Sequence, residues 1–305
     1  MMAARQLDWQ PNMAGVRGRL RADEPMSAHT SWRLGGPADW YFVPADKSDL
    51  CRFIQQLPEE IPVYWIGLGS NLLVRDGGIR GVVIGALKGL GQLKLVDDCR
   101  VLSQAGVASA QVARFCGRNH LAGAEFLAGI PGSFGGALAM NAGAFGGEIF
   151  DVVESVELID RQGDLKICHA DEFSPSYRQV KLPEQHWFIS ATLCLTPGDK
   201  DQSKNAVQSL LKRRAESQPI QSANAGSVFR NPPGNYAAKL IEMADLKGLR
   251  YGGAEVSAKH ANFIVNRGDA SATDVEQLIL LIQQQVQKNY DVCLQTEVRI
   301  TGEPA

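Results

Sequence analysis

Residues 129–147 read GIPGSFGGALAMNAGAFGG, seven glycines in nineteen residues, with Gly123 just upstream. A stretch with so few large side chains cannot fill a core, so its backbone must lie close against something. Two partners satisfy that need: another layer of the protein, in close helix–sheet packing, or a large planar ligand carrying a pyrophosphate. A second loop bears on the choice. In IGLGSNLLVRDGG, residues 66–78, Gly67 and Gly69 directly follow the apolar run VYWI. Such a loop can turn several backbone N–H groups towards a phosphate, because glycine lacks the Cβ that would block close approach. No GK[ST] follows and the spacing is not GxGxxG, so neither a P-loop nor a Rossmann turn is present. Alone, this loop reads as a plain strand-to-strand turn; two such loops in one domain favour a ligand.

Composition excludes several classes. With 305 residues, the chain is long enough for two or three domains with proper cores. A formal net charge of −2, from 31 basic and 33 acidic residues, argues against a polyanion-binding surface while allowing a local cationic pocket. No nucleic-acid or obligate protein partner is implied. Nothing approaches the roughly 18 consecutive apolar residues of a membrane span. The six cysteines are scattered without a CxxC pair, as expected of reduced thiols in a cytosolic protein. The five histidines show no HxxxH or HExxH spacing, so a metal centre is not expected. Residues 1–22, rich in Gly, Pro and Arg and without an apolar h-region, read as a loose arm and not a secretory signal.

Between the glycine clusters, short strands and helices alternate. Ser48 is placed to cap a helix carrying Leu50, Phe53, Ile54 and Leu57 at helical spacing. VYWIG and GVVIGAL read as buried strands, and SAQVARFCGRN as a helix. VESVELID and LKICHA flank a turn at Arg161-Gln162-Gly163-Asp164, and WFISATLCLTP adds a strand. Pro197-Gly198 and the charged DKDQSK read as a linker to a separate unit with helices SKNAVQSLLKRRAES and NYAAKLIEMADL. There, Thr273 and Glu276 form a capping box before a long amphipathic helix, and CLQTEVRITG closes the chain as a strand.

Six segments in order make the pattern specific: GLGSNLLV, LAGIPGSFGGALAMNAGAFGGEI, YR, GSVFRNP, KHANFIVN and TEVRITG. They resemble the UDP-N-acetylenolpyruvoylglucosamine reductases (UDP-N-acetylmuramate dehydrogenases) of bacterial peptidoglycan synthesis, over about residues 30–302. The resemblance implies an α+β fold: an FAD-binding domain of the p-cresol methylhydroxylase/vanillyl-alcohol oxidase type over residues 23–198, in subdomains of about 23–86 and 87–198. An α+β substrate domain over residues 199–305 follows. It implies noncovalent FAD, with NADPH as co-substrate. By the same resemblance Gly67, Leu68, Gly69, Ser70, Asn71 and Leu72 contact the flavin pyrophosphate. Gly129, Ile130, Pro131, Gly132, Gly136, Asn141 and Gly143 complete the cradle, and Thr30, Gly35 and Gly36 match the family's N-terminal motif HTSWRLGGPAD. Residues 191–221 lack the tyrosine-bearing loop of one subtype, so the chain resembles the shorter one.

The implied substrate carries a C=C bond conjugated to a carboxylate. Hydride addition at the β carbon pushes charge onto the carboxylate, and the α carbon must then receive a proton. An isolated Ser227 would read as a turn hydroxyl; within GSVFRNP it matches the family's proton donor. Arg178 matches the catalytic arginine, able to hold a carboxylate through two parallel N–H donors. Here Gln179-Val180 follows where the family pattern commonly has a serine after one variable position. Glu297 matches the C-terminal glutamate, suited to polarise the enolate if burial raises its pKa, and otherwise reads as a strand-surface carboxylate. Tyr177, Asn231, Lys239 and Lys259, with His260, are substrate or NADPH contacts by resemblance, and solvated surface groups by default. Two alternatives share the flavin fold: an oxidase or dehydrogenase acting on an alcohol or sugar, and a flavin-binding protein that has lost catalysis.

Overall fold

A computed structural model describes residues 9–305. The chain divides into two compact units, and neither is one continuous stretch. The first comprises residues 1–22, 40–67 and 81–213; the second comprises 23–39, 68–80 and 214–305. This departs from a linear division at residue 198, because residues 23–39 and 68–80 associate with the C-terminal part of the chain.

The first unit holds two cores. In one, the helix Lys47–Gln55 buries Leu50, Phe53 and Ile54 against Val82, Ile84 and Leu90. Phe53 stacks on Phe42 with ring centroids 3.8 Å apart. Asp46, not Ser48, caps this helix: its carboxylate accepts from the Asp49 N–H at 2.9 Å, while the Ser48 hydroxyl donates to the same carboxylate at 2.8 Å. The N–H bond and the Ser48 and Arg17 bonds hold the Asp46 carboxyl at about 2. Residues 1–8 of the expected loose arm lie outside the described residues, and the remainder is not loose. Trp9, Met13, Val16 and Leu20 pack on this core. The Arg17 and Gly18 N–H groups donate to Asp49, and Arg19–Pro25 is a strand.

The second core of this unit underlies a five-stranded antiparallel sheet. Its order is Leu165–His169, Val153–Ile159, Trp187–Cys194, Arg100–Gln104 and Leu93–Leu95. Val156 pairs with both Cys168 and Ala191, and Ala191 with Ser103, which sets the buried face. The helices Ser109–Arg118 and Phe134–Ala139 contribute Val112, Phe134 and Leu138 to it. The turn expected at residues 161–164 joins the first two strands, with Gly163 at φ +81°. The expected linker is instead structured: Thr196–Pro197 pairs with Leu121–Ala122, and the helix Lys200–Ser217 begins at once.

In the second unit, the helix Ala272–Tyr290 buries Val275, Leu278, Ile279, Ile282 and Val286 at helical spacing. Each fully buried apolar side chain of this kind contributes about 1.5–3 kcal/mol. They meet Leu240, Val256, Ile264 and the fully buried Trp32. The capping box is Ser271 with Asp274, two residues earlier than expected from Thr273 and Glu276. Glu276 is instead bound by Arg75 through two N–H groups, each at 2.9 Å. Asp76 accepts from the Ala272 and Thr273 N–H groups and from the Thr273 hydroxyl. The strand Leu72–Val74 pairs in parallel with Arg299–Thr301, the short strand that CLQTEVRITG yields. Among the described residues no helix is long and apolar enough to cross a membrane.

Candidate active site and cofactor surface

In the first unit the two glycine loops meet. A Cβ on Gly67 would lie 1.9 Å from Ser133 Oγ, and that hydroxyl accepts from the Gly136 N–H at 3.4 Å. Much of the cluster is bare because protein lies against it: a Cβ on Gly129 would collide with Phe145, one on Gly135 with Ala105, and one on Gly143 with Gly147 O. Close packing thus explains these positions. At the exposed Gly136 an added Cβ would find only Ser133 Oγ, at 3.5 Å; Pro131 is exposed, Gly132 half-buried and Ile130 buried. Beside Gly132, whose carbonyl accepts from the Ser109 N–H at 3.0 Å, the Ser109 hydroxyl is buried with no hydrogen-bond partner. Bare, accessible backbone next to an unsatisfied hydroxyl fits a phosphate-bearing cofactor.

Asn141 is buried at φ +42°, and its amide is committed to protein. Its Nδ2 donates to Glu148 at 2.7 Å and reaches the Ser176 carbonyl at 3.5 Å, while its Oδ1 accepts from the Phe150 N–H at 3.3 Å. It therefore braces the segment that carries Arg178. Ser176 and Gln179 exchange both backbone bonds, at 2.9 and 3.1 Å, closing a tight turn with Arg178 inside it at φ +59°. A non-glycine residue in that region is held there by its surroundings. The half-buried Arg178 guanidinium donates to Gly143 O at 3.2 Å and stacks 5.0 Å from the exposed Tyr177 ring. Arg178 and Gly143 are thus neighbours.

The second unit gathers the other candidates. Thr30 is buried, and its hydroxyl closes its own turn by donating to Leu34 O at 2.7 Å. A Cβ on Gly36 would strike Asp76 O, one on Gly35 would crowd Val74, and one on Gly69 would strike His29 O. Those glycines serve packing within the unit. Leu68 is exposed; Ser70, Asn71 and Leu72 are half-buried. Ser227 follows Gly226, whose φ is +74° and whose missing Cβ would face Ser70 O at 4.0 Å. Behind the half-buried Ser227, Val228 and Phe229 are buried. Phe229 makes one isolated bridge to Thr296. Glu297, also half-buried, donates its N–H to Val228 O at 2.7 Å. Ser227 and Glu297 are thereby held on adjacent backbones.

Asn262 is a residue that the motif KHANFIVN contained but sequence reasoning did not single out. Buried, it accepts from the Phe229 N–H at 2.9 Å and donates to Phe229 O at 2.8 Å, and its own carbonyl accepts from Val228 N–H. It anchors the backbone just behind Ser227. Asn231 spends its Oδ1 on the Ala237 N–H at 3.1 Å, at the start of the helix Ala237–Met243. On that helix Lys239 is exposed, while the Lys259 ammonium donates to Ala215 O. His260 is held below its usual pKa of 6.5 by burial and by Lys247. Arg230, between Phe229 and Asn231, has a buried Nε with no hydrogen-bond partner. No group of three or more metal-ligating side chains exists among the described residues.

Residues 38–169 match the family model described as an FAD binding domain, and residues 218–301 match the C-terminal domain of UDP-N-acetylenolpyruvoylglucosamine reductase. A relative of that name from Alkalilimnicola ehrlichii is 51% identical, over 94% of this chain and 96% of its own. Another, from Methylococcus capsulatus, is 50% identical over 95% of each. Among solved structures, UDP-N-acetylenolpyruvylglucosamine reductase from Thermus caldophilus superposes with a TM-score of 0.80 at 32% identity, covering 93% of this chain and 98% of that one. 6-Hydroxy-D-nicotine oxidase from Arthrobacter nicotinovorans superposes at 0.56 with 12% identity, covering 90% and 86%, a likeness of fold alone. The expected fold, a flavin domain of the vanillyl-alcohol oxidase type with a C-terminal α+β domain, is the one the chain has. With half of its residues shared along nearly the whole length, the chain belongs to the UDP-N-acetylenolpyruvoylglucosamine reductase family.

Proposed function

We propose that this chain reduces UDP-N-acetylenolpyruvoylglucosamine to UDP-N-acetylmuramate in peptidoglycan precursor synthesis, with FAD held noncovalently and NADPH as co-substrate. A soluble sugar nucleotide and NADPH place the reaction in the cytoplasm. The reading rests on the family, and one geometric observation carries it: the Glu297 N–H bonded to Val228 O sets an ionisable group and the Ser227 hydroxyl on neighbouring, buried-side backbones. In the first unit the accessible backbone at Pro131, Gly132 and Gly136 is the surface for an FAD phosphate, and Gly67, Gly129, Ile130 and Gly143 shape it through close packing; in the second unit Leu68, Gly69, Ser70 and Leu72 match the family's flavin loop. Thr30, Gly36, Asn71 and Asn141 support it from behind through the bonds and contacts described above. When bound, FAD supplies the hydride received by the enolpyruvyl β carbon.

The protein's own groups then handle charge and a proton. The Arg178 guanidinium holds the substrate carboxylate, onto which negative charge develops, through parallel N–H donors. Ser227 Oγ gives its proton to the α carbon. A serine hydroxyl is a poor acid in water, but an enolate is a strong base, and a positioned hydroxyl suffices where water is kept out. Glu297 polarises the enolate through a shared proton or a water. Asn231, with Tyr177, Lys239 and Lys259, binds the diphosphate and sugar.

The test is a visible spectrum of the purified protein, taken without oxygen before and after NADPH, then after the enolpyruvyl sugar nucleotide. A flavin band that bleaches with NADPH and returns with that nucleotide is the expected result. Recovery only with oxygen favours the oxidase reading, and a colourless protein that takes up no FAD overturns both.

A further inference from the structure

The C-terminal segment 295–301 changes partners around Glu297, where the N–H groups of Glu297 and Val298 both turn to Val228 O, at 2.7 and 3.4 Å. Before it, the Arg230 N–H donates to Gln295 O at 2.9 Å and Thr296 bridges Phe229. After it, the Arg299 N–H donates to Asn71 O at 3.0 Å, and Arg299–Thr301 run parallel to Leu72–Val74. The residue at the changeover is Glu297. Its N–H goes to Val228 O at 2.7 Å, and its C=O accepts from the Asn71 Nδ2 at 3.0 Å. Asn71 therefore grips the segment twice, by its own carbonyl beyond Glu297 and by its side chain at Glu297 itself.

A chain that leaves one backbone ladder for another has no ladder to fix the peptide between them. Here the Val298 N–H reaches back to Val228 O at 3.4 Å, and a side-chain amide bonds the C=O of the same peptide. Asn71 is half-buried, and its side chain reaches a residue 226 positions away, so the contact is one the tertiary fold makes and not a local turn. The neighbouring Leu73 and Val74 are fully buried, so the platform from which Asn71 reaches is rigid.

We infer that Asn71 is a positioning residue for the Glu297 carboxylate: through its amide bond to Glu297 O it sets the register between Glu297 and Ser227. This rests on the functional reading above for the role of Glu297, and it moves the Asn71 side chain from cofactor contact to brace. The bond acts through geometry alone, so its loss displaces a reacting group without removing one.

The variants are Asn71→Leu, close to asparagine in shape but without the donor, and Asn71→Gln, which keeps it. They are combined with Glu297→Gln in a double-mutant cycle on the FAD-loaded enzyme. Asn71→Leu is expected to lower kcat by about tenfold to a hundredfold, with KM for the nucleotide nearly unchanged. Asn71→Gln should recover part of the loss. In the Glu297→Gln background, Asn71→Leu should cost nothing further, because its effect runs through a carboxylate no longer there. Full additivity overturns the inference. So does a loss of FAD affinity, read by flavin fluorescence, that accounts for the whole rate defect at limiting FAD and disappears at saturation. An NMR titration of the Glu297 carboxyl in the wild type and in Asn71→Leu reads the same claim without catalysis. A displaced midpoint supports the brace and coincident curves overturn it. If the wild type lacks reductase activity altogether, the functional reading falls while the titration still decides whether Asn71 governs Glu297.

Discussion

The two units hold the residues proposed to react by opposite means. Arg178 of the first unit sits in a four-residue turn at φ +59°, with Tyr177 and Gln179 exposed around it and its guanidinium reaching Gly143 O. Ser227 and Glu297 of the second unit lie on backbones joined by the Glu297 N–H to Val228 O bond and backed by Val228, Phe229 and Val298, all 3% exposed or less. A turn whose apex lies in solvent can adjust to a ligand at smaller cost than a bonded strip with fully buried side chains directly behind it. The difference suits the chemistry. A guanidinium must follow a carboxylate as charge shifts onto it, while a proton donor must already stand at the right distance.

Replacing the rigidly held donor should have the largest effect. Ser227→Ala should lower turnover by roughly a hundredfold to ten-thousandfold, the usual worth of a positioned general acid. Stopped-flow absorbance should show reduction by NADPH unchanged and only the step with the enolpyruvyl nucleotide slowed. Equal slowing of both would remove the distinction. Arg178→Lys retains charge but loses the paired donors, and should cost roughly a hundredfold in kcat with little change in unfolding by urea, because the turn carries little of the core.

Asn262→Ala should reverse that balance. It strips the Phe229 N–H and C=O of their partners in a buried place, at about 1–3 kcal/mol for each group left unsatisfied. The midpoint of urea denaturation should fall markedly, with loss of activity following loss of fold. The smallest effect concerns His260, whose folded pKa lies below 6.5 because burial and Lys247 disfavour its cation. A depressed folded pKa means that the unfolded chain takes up the proton first. Stability is therefore full above pH 6.5 and is lost as pH falls through the folded value. His260→Gln should flatten that part of the stability curve in urea titrations at stepped pH.

Local patterns carried much of the fold. The helix bearing Leu50, Phe53 and Ile54, the hairpin around Gly163 and the long C-terminal helix all lie where periodicity places them. What escaped was nonlocal. Thr273 and Glu276 have the spacing of a capping box, yet Thr273 is taken by Asp76 and Glu276 by Arg75, and both of those partners lie about 200 residues away, 197 and 201. Nothing within a window of the sequence shows such competitors, nor that residues 23–39 and 68–80 join the C-terminal unit. The glycine loops were legible as close approach but not as to what approaches. Gly36, Gly67 and Gly69 meet Asp76, Ser133 and His29, so the protein itself occupies much of the space a ligand had been assigned. Among the polar side chains, Asn71 and Asn141 match cofactor-contact motifs, and the sequence does not show that their amides also bond Glu297 O and the Ser176 carbonyl.

The parallel pairing of Leu72–Val74 with Arg299–Thr301 has a consequence for how the protein comes into being. During synthesis from the N-terminus, Leu72–Val74 emerge more than two hundred residues before the strand that pairs with them. Until then their backbone donors and acceptors lie open and the fully buried Leu73 and Val74 have no finished core to enter. The second unit can close only after residues 299–301 have been made, and a chain that stops before Arg299 leaves the early strand without its parallel partner.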